Sequence, residues 1–227
     1  AALTNVDLCE DEKEICDHVN TIAVGFLADV ALEVNAHLIH ISTDFIFDGQ
    51  KSLYDEKDTP NPLSYYGKSK LNSEKLLLNH NCICTILRTI VIYGVGKNLE
   101  KNNIVIWAKN QLEQGNSINI IDDEFRAPTF ADDLAEACVQ TFQNEAYGII
   151  HVSGKEMMSI FEIVERVAKF YNFDTSLINR IKSKELNQKA KRPPKTSFNL
   201  EKAKRKINYS PKTFLESLNI IDEQLLN

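Results

Sequence analysis

The chain has 227 residues, of which 43% are hydrophobic and 26% charged, with a formal net charge of -6. That length supports a sizeable core in one domain with a small appended lobe, in an ordinary globular composition. The acidic balance and the lack of a dense basic block argue against nucleic acid as the main partner, and no apolar run approaches the roughly 20 residues of a membrane span.

In chain order, Ile15, Val19, Ile22, Phe26, Leu27 and Val30 recur at helical spacing and predict a helix from Glu10 to about Val34. His37 to Thr43 is a β-rich run without polar alternation, as in a buried parallel strand. The stretch from Asp44 to Pro62, rich in Asp, Gly and Pro, predicts a long loop, and loops of that length inside compact domains are usually functional. A helix from Ser64 to about Asn79 and a strand from Cys82 to Tyr93 follow, then helix 102–114, strand 117–121, helix 131–144 and strand 148–152. Ser159-Ile-Phe-Glu162 is a capping box that opens another helix. Residues 176–199 are basic and polar, and two short helices end the chain. Such alternation predicts an α/β fold, a doubly wound parallel sheet covered by helices. The main boundary falls near 95, giving 1–95 and 96–227. Five cysteines without framework spacing point to a reducing cytosol. Cys82 and Cys84 share one strand face; with no His/Cys cluster beside them they read as buried thiols, and no metal site is expected.

Ser64-Tyr-Tyr66-Gly-Lys-Ser-Lys70 carries the most chemistry. Tyr66 and Lys70, four apart on a helix, point to the same side. An ammonium near a phenol favours the phenolate and lowers its pKa, which makes Tyr66 a usable proton donor to a carbonyl under reduction. The preceding strand ends in Ser42-Thr43-Asp44, and ligands bind at the C-terminal ends of parallel strands. There Thr43 either donates a second hydrogen bond to that carbonyl or caps a turn.

The runs Ile41-Ser-Thr-Asp-Phe-Ile-Phe-Asp-Gly49, Tyr54-x-Glu-x-Asp-x-Pro-x-Pro62 and Tyr66-Gly-Lys-Ser-Lys70 resemble the centre of dTDP-4-dehydrorhamnose reductases, extended short-chain dehydrogenase/reductases. Upstream, Ala1 to Glu10 with Val19-Asn20, and downstream, Leu87-Arg-Thr89, Tyr93-Gly94, Asn103-Ile-Val105, Ala127-Pro-Thr129, Asp133-Leu-Ala135 and Arg192-Pro193, fall in family order, so the likeness covers nearly the whole chain. It implies a Rossmann-type fold with a smaller C-terminal α/β substrate lobe, a cofactor that is NADP or NAD, a nucleotide-sugar substrate and a cytoplasmic protein, with a homodimer among the assemblies admitted. Thr43, Tyr66 and Lys70 would be the catalytic trio. Ala1, Ala2, Asn20, Ser42, Tyr66 and Lys70 would serve the cofactor, with Asn20 supporting the site from a neighbouring helix. Asp44, Phe45, Asn103 and Arg126 would face the substrate, Arg126 with a planar fork suited to a diphosphate. From the residues alone, Arg126 could equally pair with Asp122 or Asp123 at the surface, and Asn103 could cap the next helix.

Several positions depart from the family pattern. Phe45 stands where Tyr is common, Val91 where many members carry Trp, and Arg126 where Gly is common. No Gly-x-x-Gly-x-x-Gly or Gly-x-Gly-x-x-Gly fingerprint occurs. The expectation is therefore a chain of roughly the last three-quarters of such an enzyme, with an open sheet edge and an apolar face, in which these residues alone do not catalyse. The activity implied is NAD(P)H-dependent reduction of a nucleotide-linked 4-keto-deoxysugar. The alternatives are a nucleotide-sugar epimerase using the same trio, or a non-catalytic regulatory or binding subunit, as the β-subunit of methionine adenosyltransferase resembles this family.

Overall fold

The computed structural model describes residues 2–96 and 103–226. A short helix, α1 (Val6–Asp11), is capped by Asn5, whose side chain accepts from Leu8 N. Next come α2 (Lys13–Asp17), a π-helical turn (His18–Ile22) and α3 (Ala23–Glu33), continuous as one rod, Lys13–Glu33. This 21-residue rod has a mean hydropathy of 1.4. By length and mean hydropathy it is long and apolar enough to cross a membrane, although polar residues interrupt it from Lys13 to Glu33. Here Val24, Ala28 and Ala31 pack it into the domain, while Ile15, Phe26, Leu27, Val30 and Val34 are exposed.

Strand β1 (Leu38–Thr43) leads through a 3-10 turn (Asp44–Ile46) and a long loop into α4 (Tyr65–Leu78). Ser64 caps α4 by accepting from Gly67 N. The chain continues through β2 (Cys84–Thr89), β3 (Ile92–Tyr93), α5 (Ile104–Glu113), β4 (Ile118–Ile121), β5 (Phe125–Arg126), β6 (Thr129–Phe130), α6 (Ala131–Gln143) and β7 (Gly148–His151). After β8 (Met158–Ser159) come α7 (Ile160–Phe170), β9 (Ile178–Ile181), β10 (Lys195–Thr196), α8 (Glu201–Ile207) and α9 (Phe214–Leu226).

The principal sheet has the order β1-β2-β7, all parallel, with Thr43 opposite Thr89 at its C-terminal end. Period-2 alternation sorts its side chains. Leu38, Cys84, Ile86 and Ile149 join Val24, Ala28 and Leu77 of α3 and α4 on one face. Ile39, Ile41, Leu87 and Ile150 join Leu134, Ala137, Ala203 and Ile207 of α6 and α8 on the other. Ile86, Leu87 and Ile150 are fully buried, and each such side chain contributes about 1.5–3 kcal/mol. Helices on both faces make this the doubly wound arrangement that the alternation predicts. Among the described residues β1 pairs with β2 alone, so its other edge is open beside the exposed side of the rod.

A second core joins α5, α7 and α9 to β4, with Tyr93 and Phe130 at its border. The segment that reads as merely basic and polar supplies two strands, β9 parallel to β4 and β10 parallel to β5. The expected strand from Cys82 to Tyr93 is broken after Thr89, because Val91 takes a positive φ of 33°. For a β-branched residue that conformation is strained. It is held in place by Thr129, whose backbone N–H donates to Ile90 O and Val91 O and whose hydroxyl donates to Ile90 O.

Candidate active site

The C-terminal end of β1, the start of α4 and the turn after β2 enclose a groove of about 660 Å³, lined among others by Thr43, Phe45, Tyr66, Lys70 and Val91. Ala2, Ser42 and Asp44 also line it; Ala1 lies outside the described residues. Two constraints aim Tyr66 and Lys70 into this space. The Ser64 cap starts the helix at Tyr65, and Gly67 lets α4 press against the backbone of the 3-10 turn. A Cβ on Gly67 would stand 2.2 Å from Phe45 O. Gly67→Ala should therefore push α4 away from β1 and destabilise the fold by about 1–3 kcal/mol, read as a lower urea midpoint.

The Tyr66 ring packs edge-on to Phe45, centroids 5.7 Å apart. Burial pushes its phenol up to about 12, with a hydrogen bond to Thr43 acting in the opposite direction. This corrects the sequence expectation that Lys70 lowers it. The lysine is turned elsewhere: Nζ donates to Ile41 O at 2.8 Å and lies 3.1 Å from His40 Nε2. Burial pulls Lys70 down to about 8, opposed by Glu74. Thr43 caps the 3-10 turn, its Oγ1 accepting from Phe45 N, and also reaches the groove. The capping reading of Thr43 is thus the one observed, with the residue also at the groove.

Asn20, fully buried in the π-helical turn, does not line the groove. Its amide exchanges hydrogen bonds with the backbone of Leu3 and donates to Ser69 Oγ at 3.1 Å, tying the N-terminal segment to α4. It supports the site at one remove.

Asn103 and Arg126 both have partners within the protein. Asn103 caps α5, its side-chain oxygen accepting from Val105 N and Ile106 N and its amide donating to Gly94 O at 2.6 Å. Arg126 is 2% exposed and pairs with neither Asp122 nor Asp123. Its guanidinium donates to Glu124 Oε2 at 3.1 Å and lies 3.5 Å from Asp44 Oδ2, over the Phe45 ring. Burial raises both carboxyls, and Arg126 opposes that. Arg126 therefore fastens the end of β1 to β5, with Thr196 Oγ1 donating to Asp44 at 2.5 Å.

Sequence reasoning missed the polar layer beneath the groove. Ser42 Oγ donates to Glu74 Oε1 at 2.5 Å, and Arg88 forks onto both oxygens of Glu74 at 2.7–3.2 Å. Its available signal was the pair His40 and Ser42, polar residues two apart in an apolar strand. Cys82 and Cys84 sit in the core between α3, α4 and the sheet.

The sequence profile of the RmlD substrate binding domain family matches residues 1–226. The methionine adenosyltransferase 2 subunit beta of Bos taurus is 34% identical over 186 residues, covering 80% of this chain and 56% of that protein. The dTDP-4-dehydrorhamnose reductase of Aggregatibacter actinomycetemcomitans is 32% identical over 234 residues, 97% of this chain and 78% of that protein. Among solved structures, the Clostridium acetobutylicum dTDP-4-dehydrorhamnose reductase superposes with a TM-score of 0.90 at 28% identity, covering 100% of this chain and 79% of that one. The Bacillus anthracis reductase, in complex with NADP, gives a TM-score of 0.90 at 26% identity, with coverage of 99% and 78%. The chain thus spans a little over half the length of the adenosyltransferase subunits it matches, and about four-fifths of the reductases. The chain belongs to the RmlD substrate binding domain family, within the short-chain dehydrogenase/reductase superfamily.

Proposed function

We propose that this chain carries the catalytic and substrate-binding residues of a cytoplasmic NAD(P)H-dependent reductase acting on the 4-keto group of a nucleotide-linked deoxysugar. The observation that carries the reading is the convergence of Thr43, Tyr66 and Lys70 on one groove at the C-terminal strand ends. The residues present fit the nicotinamide half of such a cofactor. An ammonium has three N–H donors, and the two contacts to Ile41 O and His40 leave one for a ribose hydroxyl. A bound reduced nicotinamide would supply hydride to the carbonyl carbon.

The chain's own residues handle the oxygen. Thr43 donates a hydrogen bond to it, and Tyr66 gives up its phenolic proton as negative charge develops there. Lys70, charged below about pH 8, keeps its remaining N–H for the ribose and so orients the nicotinamide. Phe45 and Val91 wall the sugar side with apolar surface. In this reading residues 1–95 belong to the dinucleotide-binding part and 96–227 mainly to the substrate lobe, with β7, α6 and α8 returning to the principal sheet.

A second reading, a non-catalytic regulatory subunit, is favoured by the 34% identity to the adenosyltransferase subunit. The two separate in one assay. The protein expressed from its complete gene is offered NADPH or NADH with dTDP-, GDP- and UDP-4-keto-6-deoxysugars. Oxidation of the cofactor with at least one sugar is expected. No turnover with any, together with tight binding to a protein partner, would replace the reductase reading by the subunit reading.

A further inference from the structure

His40 and Ser42 interrupt the apolar strand β1 on the face turned toward α4. His40 Nε2 lies 3.1 Å from Lys70 Nζ and 3.0 Å from Ser73 Oγ, and the Ser73 hydroxyl also reaches Lys70 O at 2.7 Å. A charged lysine donates and cannot accept. Facing an ammonium, the imidazole must therefore present a bare Nε2 and carry its single proton on Nδ1. A cationic imidazole is disfavoured there, since burial and the neighbouring ammonium hold His40 down to about 3.

The other charges around Lys70 already have partners. Glu74, one turn farther along α4, is matched by Arg88 of β2, and Asp44 after β1 is matched by Arg126 of β5. Tyr66 keeps its proton. The contacts that hold the ammonium directly are thus the Ile41 carbonyl and His40.

We propose that His40 is a positioning residue whose Nε2 holds the Lys70 ammonium at the end of β1 in the groove that Tyr66 lines. The proposal rests on the reductase reading for its consequence, since only there does the ammonium's position govern turnover. Leucine at position 40 leaves one acceptor for a nearly buried ammonium, and desolvation then favours the neutral amine. Glutamine retains an acceptor oxygen on a side chain of similar reach.

The test is a 13C NMR titration of the Lys70 ε-methylene in protein carrying ε-13C-lysine, the signal being assigned by its loss in Lys70→Arg. This reads the ammonium whether or not any sugar is turned over. The midpoint in His40→Leu is expected at least about one pH unit below the native value, with His40→Gln within about 0.3 of it. A native midpoint in His40→Leu, or a His40→Gln midpoint displaced as far as that of His40→Leu, overturns the proposal. Should His40→Leu fail to fold, His40→Ala takes its place, and a native midpoint there overturns the proposal. In the reductase assay the alkaline fall in kcat should begin at lower pH in His40→Leu, with the sugar KM within about twofold of native. Absence of turnover in the native protein would remove the reductase reading and leave the titration result standing.

Discussion

Tyr66→Phe is expected to lower the reductase kcat by about 10²–10⁴-fold, the usual contribution of a positioned proton donor. Structure should hardly change, because phenylalanine keeps the edge-on contact with Phe45 and removes only the hydroxyl. The urea midpoint and sugar KM should therefore stay near native, separating lost chemistry from lost fold. The pH profile supplies a second check with a definite sign. Burial holds the Tyr66 phenol at about 12, so the donor keeps its proton throughout the usable range. Lys70, pulled down to about 8, loses its charge as the pH rises through that value. The nicotinamide ribose then loses a charged N–H donor, and kcat should fall above about pH 8. Lys70→Met should lose that alkaline limb together with most of the rate. A Tyr66→Phe enzyme within about twofold of native kcat would exclude Tyr66 as the proton donor.

The largest stability effect is expected beneath the groove. Glu74 and Arg88 are 1% and 2% exposed and share bonds at 2.7–3.2 Å, with Ser42 donating to the same carboxylate. Glu74→Ala leaves the Arg88 guanidinium buried beside the neutral His151 ring, 3.3 Å away, and stacked over Phe47. Breaking one side of such a pair costs about 3–5 kcal/mol, a large part of a domain's total stability. Replacing both members, as Glu74→Leu with Arg88→Met, should recover most of that loss, because the buried charges go together. Urea denaturation of the two single variants and the double variant measures the coupling directly. A double variant no more stable than Glu74→Ala would show that the pair acts through shape and not through charge.

The site was legible wherever its chemistry is local. Tyr66 and Lys70 are four residues apart, and helical geometry alone puts them on one side of α4. Asp44 to Pro62 declared itself a loop through its Asp, Gly and Pro content. What lay beyond the sequence was each group's surroundings. Lys70 was expected to lower the Tyr66 phenol, yet the fold turns its ammonium toward His40 and Ile41 O and buries the ring, so desolvation prevails. From its neighbours in sequence Arg126 was expected to pair with Asp122 or Asp123, and it pairs instead with Glu124 and Asp44. Its partner Asp44 lies 82 residues away along the chain, a separation that no local pattern encodes.

By itself the sequence determined the α/β alternation, the catalytic trio as candidates, and the absence of a glycine-rich fingerprint from these 227 residues. Hydrophobic periodicity, capping residues and short motif spacings act over a few residues, and so they survive without a fold. Only the tertiary structure decided the order of the strands and which polar groups meet beneath the groove. It also decided that Asn103 and Arg126 hold the scaffold and do not reach into the groove. Those outcomes depend on burial and on long-range contacts, where desolvation and pairing are fixed by residues that the chain brings together only on folding.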